Sequence, residues 1–191
     1  MKLKYKILWI EDDASTIQRE KIRIRRYLED DYGFECKEED IVVKDYDEFE
    51  LEFIFEQDGH KIVKDSLKEF DLLLVDFNLG EEEQTGDKLI EIIRDDGLYS
   101  EILFYSSNLE SINNKLNNNF IDGVFRSDRD HLEDKIKKLI KVTIKKVQDV
   151  NNLRGLIMAE VAELDRLKKN IIQKFNKEAD SDFKKYIKED V

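Results

Sequence analysis

The chain has 191 residues, 41% of them charged, and a net charge of −12; that length supports one core of about 120 residues and an appendage of about 60. Residues 1–127 carry 17 Lys and Arg against 32 Asp and Glu, and residues 128–191 carry 16 against 13. The acidic larger part argues against sequence-independent nucleic-acid binding, which needs a basic face, while the slightly basic tail leaves room for an acidic partner, including the protein's own body.

Taken in order, the basic residues 1–6 precede only a short apolar run, Ile7-Leu8-Trp9-Ile10. That run is too short for a signal peptide and reads as a buried strand. It ends on Glu11-Asp12-Asp13. A helix is expected from Ala14-Ser15, with Ile17, Ile22, Ile24 and Leu28 as its apolar stripe and a stop at Gly33. Cys36 is the single cysteine; it excludes an intramolecular disulfide and suits a reducing compartment. Ile41-Val42-Val43 reads as a second strand. Residues 47–57 are expected as a helix through Phe49, Phe53 and Ile54, Asp58-Gly59 as a turn, and residues 60–68 as a further amphipathic piece.

Residues 72–75 form a continuous apolar run that stops on Asp76, the pattern of a strand buried on both faces of a parallel sheet. A loop through Asn78 leads to Thr85-Gly86 and a helix with Leu89, Ile90, Ile92 and Ile93 inward. Residues 101–107 form a fourth strand ending on Ser106-Ser107. Residues 108–119 read as a polar helix, and residues 123–126 as a short fifth strand ending on Arg126. The rest is helical. Proline is absent, and proline-free helices run long without kinks. Strand and helix alternate five times, which predicts an α/β fold with a parallel five-stranded sheet and right-handed crossovers. No stretch approaches the ~20 apolar residues of a membrane span, so a soluble, cytoplasmic protein is expected.

Ligands bind at the carboxyl ends of strands in such sheets. Those ends would bring together Glu11, Asp12, Asp76, Ser106 and Arg126. Three carboxylates repel one another and need a cation, and oxygen-only ligands select Mg²⁺. The hydroxyl and Arg126 could each bind a phosphoryl oxygen. The set could therefore take a phosphoryl group onto one carboxylate, with the cations neutralising charge on the equatorial oxygens.

In these residues the chain resembles the receiver domain of bacterial two-component response regulators, a flavodoxin-like, doubly wound (βα)5 fold, over roughly residues 4–150. The resemblance implies phosphorylation of Asp76, with Ser106 and Arg126 assisting. It implies Mg²⁺ held by Glu11, Asp12, Asp76 and the Asn78 carbonyl, and phosphoryl lifetime set at Asn78 and Asn108. A sensor histidine kinase or phosphotransfer protein would be the donor. The chain would assist its own phosphorylation and dephosphorylation rather than turn over a substrate. It departs from the family where a Lys-Pro pair follows the fifth strand: here the residues are Arg126-Ser127, and Gly123 stands where a switch aromatic is common. Arginine is not equivalent to lysine, and serine removes the usual reason for a cis bond. A phosphorylation-independent adaptor is the alternative reading. Strand-end-acid enzymes, such as haloacid-dehalogenase-like phosphatases or Toprim nucleases, expect Asp-x-Asp, and Asp76-Phe77-Asn78 lacks the second acid.

The receiver core is expected over 1–127, with its fifth helix running to about 150, and a helical extension over 151–191. In that extension Ile157, Val161, Leu164, Ile171 and Phe175 follow 4-3-7-4 spacing, the seam of a coiled coil. Leu153, Leu156, Leu167 and Ile172 widen the face. A face of this kind needs a partner, and a homodimer through these helices is expected, with no helix-turn-helix, no DNA and no membrane. After Asn176, Phe183, Tyr186 and Ile187 are weak anchors.

Overall fold

The computed structural model describes residues 4–80, 84–107 and 123–178. Its strands and helices are β1 (Ile7–Ile10), α1 (Gln18–Tyr32), β2 (Ile41–Lys44), α2 (Tyr46–Phe53), β3 (Ile54–Gln57), β4 (His60–Val63), β5 (Leu72–Asp76), α3 (Gly86–Asp95), β6 (Glu101–Ser106), β7 (Val124–Asp128) and α4 (Leu132–Glu178). The expected α/β architecture is present. Five parallel strands lie in the order β2-β1-β5-β6-β7, the doubly wound order with a switch point between β1 and β5.

β1 and β5 are buried at every position, as the unbroken apolar runs require. Their alternate residues supply two cores. Leu8, Ile10, Leu73, Val75, Ile102 and Phe104 join Phe49 of α2 and Leu89, Ile90 and Ile93 of α3. On the opposite rows Ile7, Trp9, Leu72, Leu74, Leu103 and Tyr105 are fully buried, as are Ile24 and Leu28 of α1 and Ile136 and Ile140 of α4.

The chain divides into two compact units, residues 1–143 and 144–191. Within the first, Tyr5 and Thr143 share a hydroxyl–hydroxyl hydrogen bond of 2.6 Å. In the second, the helical residues between 145 and 175 are exposed.

Four local expectations are corrected. α1 opens at Gln18, not at Ala14, because Asp13 holds a turn ahead of it: its carboxylate accepts from the Ser15 amide at 3.0 Å and its carbonyl from the Thr16 amide at 3.0 Å. Asp side chains favour such turns over helix interiors. Ile22 is 50% exposed and is not part of the α1 stripe. α2 stops at Phe53, and an antiparallel hairpin, β3–β4, follows it. Asp58 and Gly59 both have positive φ, 54° and 77°, the Asp-Gly signature of a two-residue hairpin turn. Neither Ile54-Phe55-Glu56-Gln57 nor His60-Lys61-Ile62-Val63 alternates in hydropathy, so no strand period competes with the helical spacing of Phe49, Phe53 and Ile54. β7 continues to Asp128, so Arg126 lies inside the strand and not at its end. The expected helix over 108–119 and the anchors beyond Asn176 lie outside the described residues.

Candidate functional site

β1 and β5 are sheet neighbours, with Ile10 opposite Val75, so the residues leaving their carboxyl ends meet. The Glu11 amide extends the edge by donating to the Lys44 carbonyl at 3.0 Å. Ligand oxygens of Glu11, Asp12 and Asp76 all lie within 4.8 Å of one another. Glu11 and Asp76 are buried and Asp12 is exposed. An open cavity above them is lined by these three acids, Asp13, Thr16, Asn78, Ser107 and Arg129.

Gly86 is what lets α3 begin so close to this rim. Its amide donates to the Phe77 carbonyl at 3.0 Å. A Cβ at Gly86 would lie 2.1 Å from the Asp76 carbonyl oxygen and 2.8 Å from the Phe104 ring. Thr85-Gly86 is therefore a close-approach element behind the acid. Asn78 is held by a bridge to Thr85, and the Leu79 amide donates to the Gln84 carbonyl at 3.1 Å.

Among the described residues, the cation that lines this rim is Arg129. Its Nη2 donates to both oxygens of Glu11 at 2.8 Å and stands 3.5 Å from Asp76 Oδ2. Asp128 pins the turn that aims it, accepting from the His131 amide at 2.7 Å and from its ring Nδ1 at 2.6 Å. Arg126 does not line the cavity. It pairs in register with Phe104, whereas Asp76 shares its row with Tyr105 and Ser127, and successive residues of a strand face opposite sides. Ser106 is buried at the end of β6, and Ser107 is the hydroxyl residue that lines the opening. Asn108 lies outside the described residues.

Beneath Glu11 runs a buried hydrogen-bond chain. Trp9 Nε1 donates to Tyr105 Oη at 2.6 Å, and the Tyr105 hydroxyl donates to Glu11 Oε2 at 2.6 Å. Trp9 is core, as its strand suggests, and it also reports on the acid. Burial pushes Glu11 up to about 7, with Asp76 adding to the rise while Tyr105 and Arg129 oppose it. Burial likewise raises Asp76 to about 6, against Arg129 and the amides of Phe77 and Asn78. Among the described residues that line the cavity, one guanidinium faces four carboxylates, which leaves net negative charge in a partly dry site. An oxygen-only donor set with that deficit fits a hard divalent cation such as Mg²⁺.

Tyr105 and Arg129 escape the sequence reading for different reasons. Tyr105 sits in an apolar run and reads as core. Arg129 follows a strand whose end was placed at Arg126, and the run Val124-Phe125-Arg126-Ser127-Asp128 has no hydropathy alternation that would mark its true end.

No protein-family model and no curated protein matches the chain. Solved structures do. The N-terminal domain of an uncharacterised protein from Wolinella succinogenes matches at 15% identity over 75% of this chain and 99% of that one, TM-score 0.50. A sensor protein from Polaromonas sp. matches at 18% identity over 75% and 98%, TM-score 0.50. The receiver domain of a Francisella response regulator matches at 16% identity over 75% and 99%, TM-score 0.49.

Proposed function

We infer that this chain, a doubly wound fold on a five-stranded parallel sheet whose strand-end residues resemble those of the response-regulator receiver, accepts a phosphoryl group on Asp76. The observation that carries the reading is the convergence of Glu11, Asp12 and Asp76 within 4.8 Å at the switch point of the sheet. The donor class is the phosphohistidine of a sensor kinase or phosphotransfer protein, or a small acyl phosphate. Asp76 attacks phosphorus as its carboxylate; the bond from phosphorus to the donor nitrogen or oxygen breaks, and the donor leaves with that electron pair. With its pKa raised to about 6, Asp76 is mostly ionised at neutral pH.

Glu11, Asp12, Asp76 and the Asn78 carbonyl are the groups that would hold Mg²⁺, whose role when bound is to neutralise phosphoryl oxygens. Arg129, already 3.5 Å from Asp76, supplies the protein's own positive charge on the same side. β7 runs to Asp128, with Ser106 opposite it in register, so Arg126 lies inside the strand and Arg129, the first residue beyond it, takes the place of the cation expected there. Ser106 is the switch hydroxyl, and Asn78 and Asn108 set phosphoryl lifetime. Output is through protein contacts of the C-terminal helix, including a homodimer, in the cytoplasm and without DNA.

Incubation with acetyl phosphate and Mg²⁺ tests this by intact mass. The wild-type chain gains one phosphoryl group and Asp76→Asn gains none; no gain in the wild type, or equal gain in both, sinks the acceptor role. A phosphorylation-independent adaptor is the second reading, favoured by the hold of Arg129 Nη2 on both oxygens of Glu11. It expects no Mg²⁺-dependent binding of beryllofluoride.

A further inference from the structure

Within residues 144–191, large apolar side chains stay exposed along α4: Val150, Ile157, Val161, Leu164, Ile171 and Phe175 are each 44–67% accessible. They fall on the a and d positions of one unbroken heptad frame, with a at 154, 161, 168 and 175 and d at 150, 157, 164 and 171. Two cations interrupt it, Arg154 and Lys168, both at a. Those interruptions decide what the seam can pair with. In a parallel, in-register pair of copies, a meets a: Arg154 would face Arg154 and Lys168 would face Lys168. Glu160 at g would meet Asp165 at e on both flanks. Like charges so placed are repulsive.

An antiparallel pair removes every one of these conflicts. There a meets d, and one register, centred between Ala162 and Glu163, seats the seam from Val150 to Phe175. Val161 packs on the second copy's Leu164, and Phe175 on its Val150. Lys168 lies over Ile157 and Arg154 over Ile171, each laying its aliphatic stem on an apolar residue while the charged head reaches solvent. On the flanks Glu160 meets Leu167, and Asp165 meets Met158, which is 74% exposed in one copy. No like charges face each other. Asp165 stays free to pair within its own helix with Lys168, at 3.9 Å.

We propose that α4 pairs with α4 of a second copy as an antiparallel two-stranded coiled coil in this register. This rests on the dimeric part of the reading above and specifies it. The charge pattern makes the seam complementary to itself, so no other protein is needed to cover it. A symmetric interface of this kind closes at two copies.

Disulfide trapping in the full chain tests it. Val150→Cys and Phe175→Cys variants are made separately, with the wild type as control because its one cysteine, Cys36, is buried. Oxidising the mixed variants yields a cross-linked dimer holding one of each, and neither variant cross-links alone. Efficient cross-linking of either variant by itself means parallel pairing and overturns the proposal. So does a light-scattering mass of one, three or four chains, or a dimer whose mixed variants fail to cross-link. Phosphoryl gain at Asp76 is read separately by mass, so loss of the acceptor reading leaves this result unchanged, and the reverse.

Discussion

Arg129 contributes one positive charge to a cluster of three acids, and it competes there with any divalent cation. Its two contacts to Glu11 are at 2.8 Å, but its side chain is 33% exposed, so solvent screens part of the attraction. Replacing it by Ala removes a competitor and leaves the acids bare. Mg²⁺ affinity then rises, on the order of threefold to tenfold for the roughly 1 kcal/mol a partly screened pair contributes. Titration followed through Trp9 emission measures it, because Trp9 reaches Glu11 through Tyr105. Weaker Mg²⁺ binding in Arg129→Ala would mean that Arg129 organises the acids and does not compete for them. The same buried acids set a pH dependence. Glu11 stands at about 7 against an ordinary 4.5, and Asp76 at about 6 against 3.8. Both folded values are raised, so between the ordinary carboxylate range and about pH 7 the folded chain binds more protons than the unfolded one. Its stability is greatest below that window and falls as pH rises through it. In chelator, the Tm is expected to drop by several degrees between about pH 5 and about pH 8. Glu11→Gln flattens the drop, and Mg²⁺ at the higher pH restores the Tm. A Tm that rises across this range without metal would contradict the assignment of Glu11 and Asp76 as buried, metal-demanding acids.

At the scale of elements, the junction of β5 and α3 carries the acid and is the least tolerant place in the fold. A methyl at Gly86 would sit 2.1 Å from the Asp76 carbonyl and 2.9 Å from Val75. The neighbours are backbone and packed core, which cannot step aside. Gly86→Ala should destabilise by about 3 kcal/mol or more, above the usual range for overpacking, and displace Asp76. Chemical denaturation and acetyl-phosphate labelling read the two effects, and a variant of unchanged stability would show that α3 can shift. This junction was legible in the sequence, because an apolar run stopping on an acid and a Thr-Gly before an amphipathic run are both local signals. So were β1, β6 and the parallel five-stranded sheet. The hairpin was not: the Asp58-Gly59 turn is a local signal, but Phe49, Phe53 and Ile54 match a helical period, so the sequence carries the helix on to the turn, whereas α2 ends at Phe53 and Ile54 opens a strand. Nor was the cation. Arg126 and Arg129 are three residues apart, and which of them reaches the acids depends on where β7 ends and on the cap that Asp128 makes with His131, neither of which periodicity specifies.

At the scale of the whole molecule, charge and apolar surface make opposing demands on association. Each copy carries −12, so two copies repel at long range. The α4 seam offers apolar contact that salt does not screen. Opposite charges offer another route to a dimer, because residues 1–127 are strongly acidic and residues 128–191 slightly basic; the tail of one copy could then adhere to the body of another. Salt separates the two. Raising ionic strength from about 0.01 to 1 M shortens the Debye length from about 30 to 3 Å. A dimer held by the seam tightens over this range, since repulsion is screened while apolar burial is kept or strengthened. A dimer held by tail-to-body charge loosens. Sedimentation equilibrium across the range gives the sign directly, and Leu164→Glu supplies the control. That substitution puts an acid beside Val161 at the centre of the seam, and it should abolish pairing at every salt concentration while leaving Mg²⁺ binding by Glu11, Asp12 and Asp76 unchanged. A dimer that weakens with salt and survives Leu164→Glu would move the contact off α4 and onto the charge difference between the two parts of the chain.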